Sequence, residues 1–195
     1  STDNFYARHA ELETERLLAQ RAGVAFAHQA EYQRVQWAHQ FMSMSSLAIR
    51  GGSMQAGHRT VTFATATRQQ RQEIQQWQIQ LARAALGQST TFNPFTQTSA
   101  LPPQMVAEMH RIIAGQAGHV AAAPPTRVAG QTLAGFQQTV TNHQHQVMQA
   151  RSYLQMTGLS WPQIQAIYQR QHQVNRQQHG LPPHPVNPMA LQRLQ

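Results

Sequence analysis

Apolar side chains return at steps of three, four or seven along most of this chain, and only one short stretch alternates as a strand would. Phe5, Leu12, Leu18, Ala22, Ala25, Tyr32, Val35, Trp37, Met42 and Leu47 recur in this way with no proline among them. The spacing predicts one long helix, or two helices in line, over the first 50 residues. Asp3 is placed to cap its start, and Arg21-Ala22-Gly23 marks a candidate bend. Glu13–Arg16 and Glu31–Arg34 are spaced for exposed ion pairs, worth a few tenths of a kcal/mol each. Gly51-Gly52-Ser53 stops the segment.

Thr60 to Thr65 is the alternating, β-branched stretch. A lone strand needs a partner and none is evident, so residues 54–66 are expected to form an extended linker. Thr67 can cap a helix to about Leu86, with Ile74, Trp77, Leu81 and Ala84 on its apolar side and Arg68, Arg71, Gln75 and Gln78 along another face. Pro102-Pro103 can open a short helix through about Ala114, followed by a loop from Gly118 to Pro125. The strongest later segment runs from Arg127 to Met156, where Leu133, Phe136, Val140, His143, Val147 and Leu154 make a single stripe. Ser160 caps the next helix, with Trp161, Ile164, Ile167 and Tyr168 as its inner face. From His179 the chain is Pro-rich and is expected to run extended over the surface.

The fold class that follows is all-α. A long amino-terminal helical arm (1–53) precedes an extended linker (54–66), a small helical bundle (67–178) and a Pro-rich carboxyl-terminal tail (179–195). At 195 residues there is enough chain for one domain with a real core, with or without an arm. Apolar runs are too short for a membrane span, and no basic-then-apolar leader opens the sequence. The opening Ser1-Thr2-Asp3 fits a chain that has lost its initiator Met.

Charge narrows the class of partner. All 15 cationic side chains are Arg, with no Lys, against seven carboxylates. Five of those acids lie within the first 31 residues, which carry −2, while the remainder carries +10. After Glu108 no carboxylate side chain occurs. A GC-rich genome explains missing Lys, but Gln and Glu codons have equal GC content, and there are 33 Gln against six Glu. A polyanionic partner selects against carboxylates and tolerates amides, which donate to phosphate and sugar oxygens. A strongly acidic environment would impose the same bias, because Gln does not titrate.

Catalytic chemistry finds little purchase here. Carboxylates for general acid/base work are nearly missing from the body of the chain, and no nucleophile elbow, P-loop or dinucleotide fingerprint occurs. Glu73 and Glu108 are expected at the surface or in single ion pairs. Eleven His and no Cys give no metal-ligand spacing: His143 and His145 diverge on a helix, and His172 and His179 are two turns apart. His143, inside an apolar stripe, is expected to be a core residue. The aromatic residues fall on apolar stripes, which disfavours single-strand binding by base stacking. No enzyme, cofactor or metal is therefore expected.

Arg binds phosphate through two parallel N–H donors, a geometry Lys cannot copy. Arg34, Arg50, Arg68, Arg71, Arg83, Arg151, Arg170 and Arg176, with Gln75 and Gln169, are the candidate backbone contacts. Spread over several helices, they suit contact along a duplex rather than base reading in one groove. Duplex DNA carries one charge per about 1.7 Å, so a net charge of +8 matches roughly 14 Å of duplex.

The long helix from Phe5 to Leu47, the helical body from Thr67 onward and these Arg/Gln faces together resemble the major coat proteins of filamentous and rod-shaped archaeal DNA viruses. The likeness is one of layout and brings no individual residue role with it. It implies an arm and bundle wrapping A-form duplex DNA inside a helical virion, assembled from copies of the chain and a second, similar coat protein. Two other readings of the same residues stay open. One is an internal virion or scaffold component acting by protein–protein packing. The other is an RNA-associated subunit of a large particle such as an organellar ribosome, in the cytoplasm or an organelle matrix.

Overall fold

A computed structural model describes residues 1–195. It contains seven helices and one two-stranded sheet: α1 (Asp3–Ala22), α2 (Gln29–Arg50), β1 (Gly52–Ala56), β2 (Arg59–Phe63), α3 (Arg68–Ala85), α4 (Pro103–Ala121), α5 (Leu133–Met156), α6 (Trp161–Gln178) and α7 (Pro188–Arg193). The fold is mostly all-α, as the spacing requires. No helix is long and apolar enough to cross a membrane. The chain divides into two units, Ser1–Met109 and His110–Gln195, with the division inside α4.

In the first unit the arm is two helices folded back on each other, not one rod or two in line. Gly23 ends α1 in the left-handed region (φ +68), which costs glycine nothing, and its N–H bonds back to Ala19 and Gln20 carbonyls. The return brings α2 antiparallel to α1. Tyr32 donates to Glu13 at 2.9 Å, and His9 bonds to Gln36 at 2.8 Å while stacking on His39 with ring centres 4.3 Å apart. Arg8 fastens the pair with a two-pronged contact to Glu31 at 2.7 and 2.9 Å. Glu31 therefore pairs across the hairpin, and not with Arg34 as local spacing suggests, whereas Glu13–Arg16 forms at 3.1 Å. Asp3 is already helical; Thr2 occupies the cap position without a side-chain bond.

Residues 54–66 are not a linker. β1 and β2 form an antiparallel hairpin with Gly52 opposite Phe63 and Ala56 opposite Arg59, leaving a two-residue turn, Gly57-His58. Gly57 takes a positive φ (+66) and His58 does not, the pattern of a type II′ turn. Val61 and Phe63 of β2 are buried, so the alternation in sequence marks a real inner face. The partner strand, Gly-Ser-Met-Gln-Ala, has almost no intrinsic strand preference, which hides it from any reading by propensity.

Thr67 caps α3 in a reciprocal box with Gln70: each side chain accepts from the other residue's backbone N–H. Ile74, Trp77, Leu81, Ala82 and Ala85 form its inner side, rotated slightly from the expected stripe at Ala84. They pack with Phe5, Leu12, Val35, Phe41 and Met44 in one core. Phe41 meets Phe95 edge to face at 5.0 Å, and the Trp77 indole N–H donates to the Pro94 carbonyl at 2.7 Å, fixing the 86–102 loop. Glu108, the one buried carboxylate, is ion-paired with Arg59 at 2.7 Å.

In the second unit α5 ends at Met156 as expected but starts at Leu133, later than Arg127. The preceding helix, α4, runs through Gly115 and Gly118 to Ala121, so the loop starts later than Gly118. Val120 and Ala121 are buried, and that packing outweighs the two glycines. α5 buries only Ala150, Tyr153 and Leu154. Its first 17 residues contain no buried side chain: Leu133 is 57% exposed, and Phe136, Val140, His143 and Val147 are half-buried. The stripe is real but only half-buried over this length, and His143 is not a core residue. In α6 only Ile164 is fully buried; Ser160 and Gln163 repeat the capping box seen at α3. The tail is extended from Leu181 to Asn187 but then closes into α7, whose end seats Leu194 in the core.

Candidate nucleic-acid interface

Arg divides into two populations by what its guanidinium touches. Arg8, Arg16 and Arg59 are bound to carboxylates, and Glu31 and Glu11 raise the Arg8 pKa further above its usual value. A second group donates to backbone carbonyls. Arg34 Nε reaches the carbonyl of Ala85, the last residue of α3, at 2.7 Å. Arg71 reaches Ala66 at 3.3 Å, Arg176 reaches Pro182 at 2.6 Å, and Arg193 reaches Ala121, the end of α4, at 2.8 Å. Arg151 donates to the Arg193 carbonyl at 3.2 Å and lies 5.3 Å over the Trp161 ring. Ala85, Ala121 and Arg193 end α3, α4 and α7, and helix carboxyl termini carry partial negative charge, so Arg34, Arg193 and Arg151 complement those ends; Arg71 and Arg176 tie loop carbonyls instead.

Of the ten side chains expected to face phosphate, Arg34, Arg71, Arg151 and Arg176 thus have a structural duty. Arg50, Arg68, Arg83 and Arg170, with Gln75 and Gln169, are exposed and make no bond within the protein. Arg21 joins them: exposed, unpartnered and outside the expected set, in the acid-rich segment that charge counting set aside.

Two faces collect these free groups. On α3, residues 68, 72, 75, 76 and 83 share one solvent side at helical spacing, giving an Arg at each end of a row of three Gln. Fifteen residues of helix separate the two Arg, roughly 22 Å. Gln72 and Gln76 belong to this face as much as Gln75, and the 3.6-residue period alone identifies them. On α6, Gln169, Arg170 and Gln177 are exposed together. His110 feels this second face: burial first, then the Arg170 charge, lowers its pKa and keeps the ring neutral.

Beside the α3 face lies a cleft of about 570 Å³ lined by Gln72, Glu73, Gln75, Gln76, Trp77, Phe92, Gln97, Ala100 and Leu101. Its apolar floor and amide rim include one carboxylate and no cation, so it is a poor seat for phosphate.

The two units differ in charge far more than the whole chain suggests. Ser1–Met109 has nine Arg and all seven acids, or +2; His110–Gln195 has six Arg and no acid, or +6. Part of the Gln excess has a local explanation. Gln70 and Gln163 stand in capping boxes, and Gln165 donates to the Leu191 and Leu194 carbonyls. Gln173 both donates to and accepts from the His184 backbone, a pairing a carboxylate could not make. No protein-family model matches this sequence, and comparison with curated proteins and with solved structures finds no significant similarity.

Proposed function

We propose that this chain is a non-enzymatic structural protein that binds nucleic acid without regard to sequence, coating duplex DNA in many copies as a major capsid protein of a helical virion. The observation that carries the reading is the composition of the second unit: six Arg and no carboxylate side chain over 86 residues. The unpartnered guanidinium groups and amide rows on α3 and α6 supply the donors. Such donors grip the phosphate backbone, and affinity then comes from counterion release.

The test is binding of the purified, nuclease-treated protein to unrelated DNA duplexes across a salt series. Equal affinity for all sequences, with log affinity falling linearly against log salt, is expected. Absence of salt-dependent binding to any nucleic acid overturns the reading and favours the scaffold alternative. A strong preference for RNA over duplex DNA points instead to the ribonucleoprotein alternative.

A further inference from the structure

We infer that the incompletely buried stripe of α5 is a coiled-coil seam for a second copy of this chain. Leu133, Phe136, Val140, His143 and Val147 follow one another at steps of three and four, and the same series continues to Ala150 and Leu154. A strict 3-4 alternation is a 3.5-residue period, the signature of a helix meeting another helix along its length. The fold buries only the last two positions of the series, Ala150 and Leu154, within the second unit. The five earlier layers are not fully buried: Leu133 is exposed and Phe136, Val140, His143 and Val147 are half-buried, over a length of about 21 Å.

Charge selects the occupant. From Val128 to Ala150 there is no Arg, Asp or Glu, although the second unit as a whole carries +6. Another copy would be repelled by any Arg-bearing face, and here it meets none. The positions flanking the seam, Gln137, Thr139, Gln144 and Gln146, are neutral donors and acceptors that pair with their own kind. An acidic partner would be matched by Arg at those flanks, where coiled coils normally encode partner choice. His143, the polar layer among apolar ones, would set the register. Five layers bury less than the roughly 800 Å² per partner of a standard stable interface, so the contact should be weak alone and strong only when repeated in an assembly.

This inference uses the many-copy part of the proposed function and does not depend on the polyanion part. The chain has no Cys, so single substitutions report contacts cleanly. Full-length Phe136→Cys and Val140→Cys, separately and mixed, are freed of nucleic acid and exposed to a mild oxidant. His145→Cys, on the opposite side of the same helix, is the control. None of the three positions is buried. Covalent dimers should form several-fold faster at positions 136 and 140 than at 145. A Val140–Val140 link denotes parallel helices, and a Phe136–Val140 link antiparallel ones; either supports the seam. Adding Val140→Arg to Phe136→Cys should suppress the dimer several-fold. Equal rates at all three positions, no dimer at all, or no effect of Val140→Arg overturns the inference. Nucleic-acid binding is read in a separate assay, so the two ideas can fail independently.

Discussion

A guanidinium in this protein is more often a structural clamp than a free cation, and single substitutions should separate the two roles. Arg34→Ala removes a half-buried charged donor from the end of α3 and leaves the carbonyl of buried Ala85 unmatched. It should cost about 1–2 kcal/mol, the lower part of the range for charge-assisted bonds because the group is partly solvated. Arg68→Ala breaks no bond within the protein and should change stability by less than about 0.5 kcal/mol. Urea titrations of the two variants check the contrast. If Arg34→Ala proves as silent as Arg68→Ala, the clamp is not formed in solution. Composition could not make this division. It counts Arg but does not say which lie beside a carbonyl, because those carbonyls belong to residues 5 to 72 positions away.

At the scale of elements, what could be read from the sequence was what depends on near neighbours. The capping boxes at Thr67 and Ser160, the αL stop after Ala22 and the helical face on α3 all rest on groups within four residues of each other. Thr67→Ala should therefore cost about 1 kcal/mol, by loss of the bond to the Gln70 N–H, seen as a lower melting temperature. Gly51→Ala should cost more. Its φ is +76, and an added Cβ would lie 2.6 Å from the Thr65 hydroxyl. The α3 face makes its own prediction: Arg68→Gln with Arg83→Gln should weaken duplex binding equally for all sequences and lower the salt slope by at most about two units. An unchanged slope removes α3 from the interface. The β-hairpin escaped the sequence reading because one of its strands has no strand-like residues; pairing with β2, not propensity, makes it a strand.

For the whole molecule, acid should be destabilising, and the sign follows from the groups involved. Burial, with the charge of His9 second, lowers the His39 pKa below its ordinary 6.5; burial, then Arg170, does the same to His110. Each folded site binds its proton less readily than the unfolded chain does. Their stabilising contribution is thus complete above pH 6.5 and is lost as pH falls below it. A second loss follows below pH 4.5. For Glu31 the Arg8 bond leads in holding the carboxyl below its usual range. For Glu13 burial pushes upward but is outweighed by the Tyr32 and Arg16 bonds. Melting temperature should fall from pH 7.5 to 5, and His39→Phe, which keeps a ring against His9, should flatten part of that slope. A flat profile for the unaltered protein would contradict it.

The helical class, the caps at Thr67 and Ser160 and the depletion of acids were legible in the sequence alone, because helix formation and capping are local and acid depletion is a property of the list of residues. Tertiary structure decided the rest. It turned an arm into an antiparallel pair through Arg8 and Glu31, and a supposed linker into a hairpin. It tied four of the candidate phosphate ligands to carbonyls. Most telling is α5: the sequence marks its stripe as the strongest of the later segments, yet the fold fully buries only the last part of it. Periodicity records that a face is built to be buried, and only the arrangement of the other elements settles whether the chain buries it by itself.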